Sequence, residues 1–153
     1  MKRLNSIVIV LAALCGIATD ALAADSSTLQ VTATVVGNCK ITGTAPVAFG
    51  NLDPADGGAV NASGSVTFWC TKGAVWTLSA NTGANPSGAQ MRMKGPGAAD
   101  FIPYSLVLAS STGSGLGAAT TVTVNANGAI AAGAFANATM GAYADTVTVS
   151  ITP

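Results

Sequence analysis

The stretch Gly141–Pro153, GAYADTVTVSITP, decides how the rest of the chain is read. From Tyr143 to Thr152 the side chains alternate. Tyr143, Val147, Val149 and Ile151 fall on one side, and Ala144, Thr146, Thr148 and Ser150 on the other. A period of two is the pattern of a strand with one buried face. Backbone N–H and C=O groups left bare along a strand edge invite pairing with another chain. The residues run out as this strand does, which raises the question of what pairs with its far edge.

Working outward, 153 residues suffice for one domain with a sizeable core. Lys2 and Arg3, the apolar run Ile7–Ala18 and the small residues of Ala21-Leu22-Ala23 have the layout of a secretory signal, so residues 1–23 are expected to be removed. The run is shorter than the about 20 apolar residues that cross a bilayer. Cys15 would leave with the signal, and Cys39 and Cys70 would remain as an even pair. In an exported protein such a pair predicts a disulfide, worth roughly 3–4 kcal/mol in the chain-entropy model. Two thiols in a chain without histidine are a poor ligand set, so neither metal nor cofactor is expected.

Beyond the signal the charges are Lys40, Lys72, Arg92 and Lys94 against Asp25, Asp53, Asp56, Asp100 and Asp145, with no glutamate. Nucleic-acid binding needs clustered Lys and Arg and is excluded on this count. The remaining polar surface of Ser, Thr, Asn and Gly is weakly protected against association. A chain of this kind is expected to have its faces covered by copies of itself or by a chaperone.

Along the chain, TLQVTATVV (28–36) alternates, with Leu29, Val31, Ala33 and Val35 on one face, and Gly37-Asn38 ends it. Ser65–Thr71 and Val75–Ala80 read as strands with Val66, Phe68, Cys70, Trp76 and Leu78 inward, joined at Lys72-Gly73 as a hairpin. Tyr104–Leu108 and Thr121–Val124 read as further strands, with SSTGSGLGAA between them a flexible loop. Gly133 and the surrounding strand signals argue against a long helix in AIAAGAFANATM. About seven short strands with Gly-rich turns predict an all-β sandwich in one domain.

Chemistry is sparse. Without histidine or glutamate the usual general bases are missing, and no serine sits in G-x-S-x-G. Asp53 and Asp56 in DPADGG read as turn chemistry rather than a calcium loop. Trp69 and Trp76 read as packing residues, Trp76 inward and Trp69 outward. No catalytic residue is assigned.

Taken in order, Cys39, Phe49-Gly50, Cys70-Thr71 with Gly73, Arg92-Met93, Tyr104 and the closing Gly141-x-Tyr143-x-Asp145-Thr146-Val147-Thr148-Val149 resemble the spore coat protein U family. That family includes subunits of archaic chaperone–usher pili. The resemblance covers the whole chain after the signal, and its most specific piece is GxYxDTVTV. The chain departs from it in ending Ile151-Thr152-Pro153 rather than in an aromatic residue. It departs also in a region after Tyr104 without aromatic or acidic residues.

The resemblance implies an incomplete immunoglobulin-like β-sandwich, of pilin type, that lacks its last strand. A periplasmic chaperone would lend a strand, and at an outer-membrane usher the N-terminal segment of the next subunit would replace it. Residues 24–38 would be the donor segment, offering Leu29, Val31, Ala33 and Val35, and 39–153 the domain. The acceptor edge would be Tyr143, Val147, Val149 and Ile151. Alternation alone leaves open that 28–36 is instead the first strand of a complete sandwich. The function implied is a structural subunit of a fibre or coat, exported to the periplasm and then the cell surface, serving adhesion and biofilm formation. The rivals are a single-domain adhesin or lectin-like module and a coat protein without a fibre. The surface or receptor bound is not specified.

Overall fold

Among the described residues the chain forms eight strands, the longer of them alternating inward and outward side chains: β1 (Cys39–Ala45), β2 (Val60–Cys70), β3 (Val75–Ala80), β4 (Met91–Lys94), β5 (Phe101–Leu108), β6 (Thr112–Ser114), β7 (Val122–Ile130) and β8 (Val149–Thr152). They are seen in a computed structural model that describes residues 24–153; the expected signal, 1–23, lies outside the described residues. One sheet has the order β1-β2-β7-β5-β4 and the other β6-β3-β8, and every ladder is antiparallel. Among the described residues there is no helix, and AIAAGAFANATM closes as successive turns after β7.

The chain divides into a unit up to Ala33 and a second unit, Thr34–Pro153, which holds β1 to β8. Of the first unit, residues 24–33 are described; they form neither helix nor strand, and Leu29 and Val31 are exposed. The strand pattern over Thr28–Val36 is therefore not realised as a strand. Alternation fixes which residues share a face, but a strand also needs a ladder partner, and the place beside β2 is taken by β1.

The expected hairpin of β2 and β3 is replaced by a crossing between sheets. β2 pairs with β1 and β7, whereas β3 pairs with β6 and β8. The tight turn from Thr71 to Ala74, with Gly73 at φ 80°, sends the chain from one layer to the other. The reason lies in the two apolar faces. Val66, Phe68 and Cys70 on β2, and Trp76 and Leu78 on β3, are all buried, and in facing layers they cover one another. Phe68 meets Trp76 edge-on at 4.9 Å, an arrangement worth about 0.5–1.5 kcal/mol beyond area burial. The run expected to be flexible contributes β6, because Gly113 leaves room for the Trp76 ring against it.

Cys39 and Cys70 face each other across β1 and β2 and form the expected disulfide, Cα to Cα 4.1 Å. The next pair outward, Asn38 and Thr71, is hydrogen-bonded, so the cysteines occupy a non-hydrogen-bonded pair, where side chains approach most closely.

Two apolar clusters make up the interior. One gathers Val66, Phe68, Cys70, Trp76, Leu78 and Val124. The other gathers Ile102, Tyr104, Ile130 and Phe135. The closing segment crosses from the second cluster to the first. Tyr143, Asp145, Val147, Val149 and Ile151 are half-buried, and the residues between them are exposed. The period of two thus persists from Tyr143 to Thr152, but the strand itself spans only β8. Before Val149 the ladder partner changes: Ala144 bridges Lys94 at the end of β4, and the Asn81 side chain, just past β3, accepts the Thr148 N–H.

Candidate functional site

Among the described residues β8 is an edge strand whose one ladder partner is β3. Beside it the inner face of the large sheet lies open. A cleft of about 380 Å³ is lined by Val66, Tyr104, Leu106 and Ala126 from that sheet, by Thr44–Val47 and Phe49, and by Tyr143–Asp145, Val147 and Val149. An adjoining hollow of about 710 Å³ shares Val47, Phe49, Met93 and Tyr143 with it and continues past Leu52, Pro54 and Met140. Leu106, Val147 and Val149 point inward and are only half-buried, so the sandwich interior is left uncovered along this line.

One wall of the cleft exists because of two glycines. β1 leaves β2 at Ala45, and the chain then runs over the inner face of the large sheet. A Cβ at Gly64 would meet the Ala45 carbonyl at 2.5 Å, and one at Gly128 would meet Val47 at 2.6 Å and Phe49 at 2.9 Å. Only a residue without a side chain permits this crossing. Phe49 then packs edge-on against Tyr104 at 6.2 Å.

The other wall is fixed by Asp145. Its Oδ2 accepts the Tyr104 hydroxyl proton at 2.7 Å, and its Oδ1 accepts the Ala84 N–H at 2.9 Å and the Asn85 amide at 3.2 Å. Arg92 holds the same loop from β4, donating Nε to the Asn85 carbonyl at 3.1 Å while its guanidinium lies 4.0 Å over the Phe101 ring. Burial pushes the Asp145 carboxyl upward, but the hydrogen bonds from Tyr104, Ala84, Thr146 and Asn85 outweigh it, and its pKa lies below the ordinary carboxylate value. Burial first, and then the neighbouring carboxylate, push the Tyr104 phenol well above its ordinary value.

A group whose pKa is lowered on folding adds stability above its unfolded pKa, and that stability is lost as pH falls through the folded one. Asp145→Ala is expected to cost about 1–3 kcal/mol and Tyr104→Phe about 1 kcal/mol at neutral pH. Urea unfolding at several pH values checks this. The gap between the wild type and Asp145→Ala should shrink once pH drops below about 4.

The structure gathers Tyr143, Asp145, Val147 and Val149 at the cleft; Ile151 packs with the first cluster beneath Leu78 in register. Gly141 closes against Pro96, Tyr143 lies over Gly95 with its hydroxyl donating to the Thr139 carbonyl at 3.0 Å, and Thr146 is exposed. Leu29, Val31, Ala33 and Val35 are exposed and unpaired in any strand. Cys39 and Cys70 sit away from the cleft lining. Asp53 and Asp56 form the expected turn, with the Asp56 N–H donating to the Asp53 carbonyl at 3.1 Å. Trp69 is half-buried on the outer face of β2, and Trp76 is buried. Among the described residues, no three His, Cys, Asp or Glu side chains group to hold a metal. No local signal marks Asn81, Asn85 and Gly83 as serving the closing segment, although Gly83 leaves the space that the Asp145 carboxylate fills.

The Spore Coat Protein U domain matches residues 25–150, which spans nearly the whole of the described chain. The chain belongs to the spore coat protein U domain family. No curated protein matches this member of the family in sequence. A solved structure shares its fold: the CsuC–CsuE chaperone–tip adhesion subunit pre-assembly complex from the archaic chaperone–usher Csu pili of Acinetobacter baumannii. The two align with a TM-score of 0.52 and 24% identity, over 77% of this chain and 40% of the other. The present chain therefore spans well under half of that neighbour's length. The spore coat protein U domain described above is thus an all-β, immunoglobulin-like sandwich of the pilin type, with one side of its interior open.

Proposed function

We propose that this spore coat protein U domain is a structural subunit of a surface fibre, assembled on the chaperone–usher route by donor-strand exchange. The single observation that carries the reading is the cleft beside β8, where a strand edge without a partner among the described residues borders half-buried Val147 and Val149. An inserted strand would pair with β8 and place alternate side chains between the two core clusters. Support for the source of that strand comes from residues 28–36, which alternate, carry exposed Leu29, Val31 and Val35, and join no sheet. As the first strand of a complete sandwich they would be expected in a ladder.

On this reading a periplasmic chaperone fills the cleft first, and the donor segment of the next subunit replaces it at an outer-membrane usher. The signal at 1–23 would provide export, and the fibre would stand at the cell surface, where adhesion and biofilm formation are its expected uses. The role is structural and not enzymatic. The test is an unheated SDS gel of the chain made together with chaperone and usher, beside a form lacking residues 25–35. Strand-exchanged polymers release only by unfolding. A ladder that boiling removes and the truncation abolishes, leaving a chaperone-bound monomer, is the expected outcome. Free monomer from both forms would instead mean a complete domain, and glycan binding would be examined next.

A further inference from the structure

We infer that the outer face of the five-stranded sheet is a binding strip for a neutral polysaccharide, with Trp69 as the platform for a sugar ring. The inference does not depend on the donor-segment reading, because the cleft uses the opposite face of the same sheet. Along β2, Val66, Phe68 and Cys70 turn inward, and Asn61, Ser63, Ser65, Thr67 and Trp69 turn outward. The outward residues pair in turn with Ala129, Asn127, Asn125 and Thr123 of β7, and Trp69 with Lys40 of β1. Ser105 and Val107 of β5 continue the rows beyond Ala129 and Asn127. From Asn61 to Trp69 the strip runs about 26 Å, at about 3.3 Å per residue, with neighbouring strands about 4.8 Å apart.

The chemistry of the strip selects its partner. Among these residues Lys40 is the one charged side chain, and it stands at the Trp69 end. The others are mostly hydroxyls and amides, which both donate and accept hydrogen bonds. Four of them are already held in place. The Ser63 hydroxyl donates to Asn127 Oδ1 at 3.0 Å, which leaves the Asn127 amide N–H groups to donate elsewhere, and the Thr67 and Thr123 hydroxyls share a hydrogen bond at 3.1 Å. Groups fixed before binding lose less freedom on binding. Trp69 is half-buried, so part of its indole stays open to solvent beside these rows. A sugar ring matches both features: its C–H face lies against an aromatic ring, and its hydroxyls meet groups that donate and accept as they do. Polyanions fit less well, since they need clustered cations. A protein partner wants an apolar, aromatic centre. Here the centre is Ser65, Thr67, Asn125 and Thr123, and Trp69 and Val107 lie at the margins. In the fibre proposed above the strip would recur in every subunit, so that weak single contacts would add up along one polysaccharide chain.

The test is native electrophoresis of the chain bound to its chaperone, with the chaperone alone as control, through gels holding galactomannan, dextran, hydroxyethyl cellulose or laminarin. At least one of these should retard the complex and not the chaperone. Trp69→Ala should weaken that retardation about tenfold or more. Asn125→Ala with Asn127→Ala, at two exposed positions, should weaken it several-fold without moving the midpoint of urea unfolding. Thr77→Ala, exposed on the other sheet, should leave it unchanged. Trp69 is also a reporter, because Trp76 is only 4% exposed. The acrylamide quenching present in the wild type and absent from Trp69→Phe should be suppressed by the retarding polysaccharide. If none of the four retards the complex, or if the Trp69 and asparagine variants are retarded like the wild type, the inference fails. Stronger, salt-sensitive retardation by alginate would place binding on the lysines and overturn it. Self-association without polysaccharide that Trp69→Ala abolishes would make the face a contact between copies and overturn it too.

Discussion

Val31→Asp should leave the subunit folded and captured by its chaperone, yet stop it from polymerising. Val31 lies in a segment outside every strand, and its side chain is exposed, so the substitution removes nothing from the subunit's own core. The effect comes only when the segment enters a neighbour. The floor of the cleft is Val66, Leu106 and Ala126, with Val147 and Val149 along one wall. An aspartate pressed against these residues gives up its water and gains no cation, a cost of several kcal/mol. At 1.4 kcal/mol per tenfold, the SDS-resistant ladder should fall by about 100-fold or more. Pull-down with the chaperone should be unchanged, because on the proposed reading its strand enters this subunit's cleft and does not touch Val31. If the substitution abolishes chaperone capture as well, the donor assignment of residues 28–36 is wrong.

Cys39→Ser with Cys70→Ser should have the largest effect on the subunit alone. The bridge closes a loop with a sequence separation of 31, so its loss should cost roughly 3–4 kcal/mol. That is a large part of the 5–15 kcal/mol typical of a whole domain. Here the margin is smaller still, because the sandwich interior is open beside β8. We expect the midpoint of urea unfolding to drop sharply and the periplasmic level of uncapped subunit to fall several-fold. Co-expressed chaperone should partly rescue the level, since a ligand that binds only the folded form adds stability by mass action. An unchanged unfolding midpoint would show that β1 is held by its ladder alone.

How much of this could be read beforehand depends on distance along the chain. Val66, Phe68, Cys70, Trp76 and Leu78 are inward as alternation predicts, because a strand's facing is a local property. Which strands are neighbours is not local. β2 and β3 follow one another through a turn that would suit a hairpin, and they nevertheless lie in different sheets. The choice was made by Phe68 and Trp76 covering each other, which no turn signal records. The closing stretch was legible in its facing and misjudged in its pairing: the inward period runs from Tyr143, but the ladder starts at Val149. Asp145 falls on the inward side of that same alternation, so its position was readable. Its partners Tyr104 and Asn85 are 41 and 60 residues away, and only the fold brings them together. β1 was missed because its burial alternates over only its first four residues, and β4 and β6 because strands of four and three residues are too short to display a period.

In the fibre proposed above, the position of the disulfide would also set where a pull acts. Tension carried by the N-terminal segment enters the domain at Val36–Asn38 and meets the Cys39–Cys70 bridge at once. β1 sits at the rim of its sheet and, with hydrogen bonds alone, would unzip from β2 one residue at a time from its Cys39 end. The covalent bridge passes the load around those bonds and into β2, which is flanked by β1 and β7 and carries Phe68 into the core. In the proposed fibre, traction would then have to pull β2 from its ladder with β7 instead of peeling off β1, and the rim of the cleft proposed to hold the next subunit would stay in place under strain.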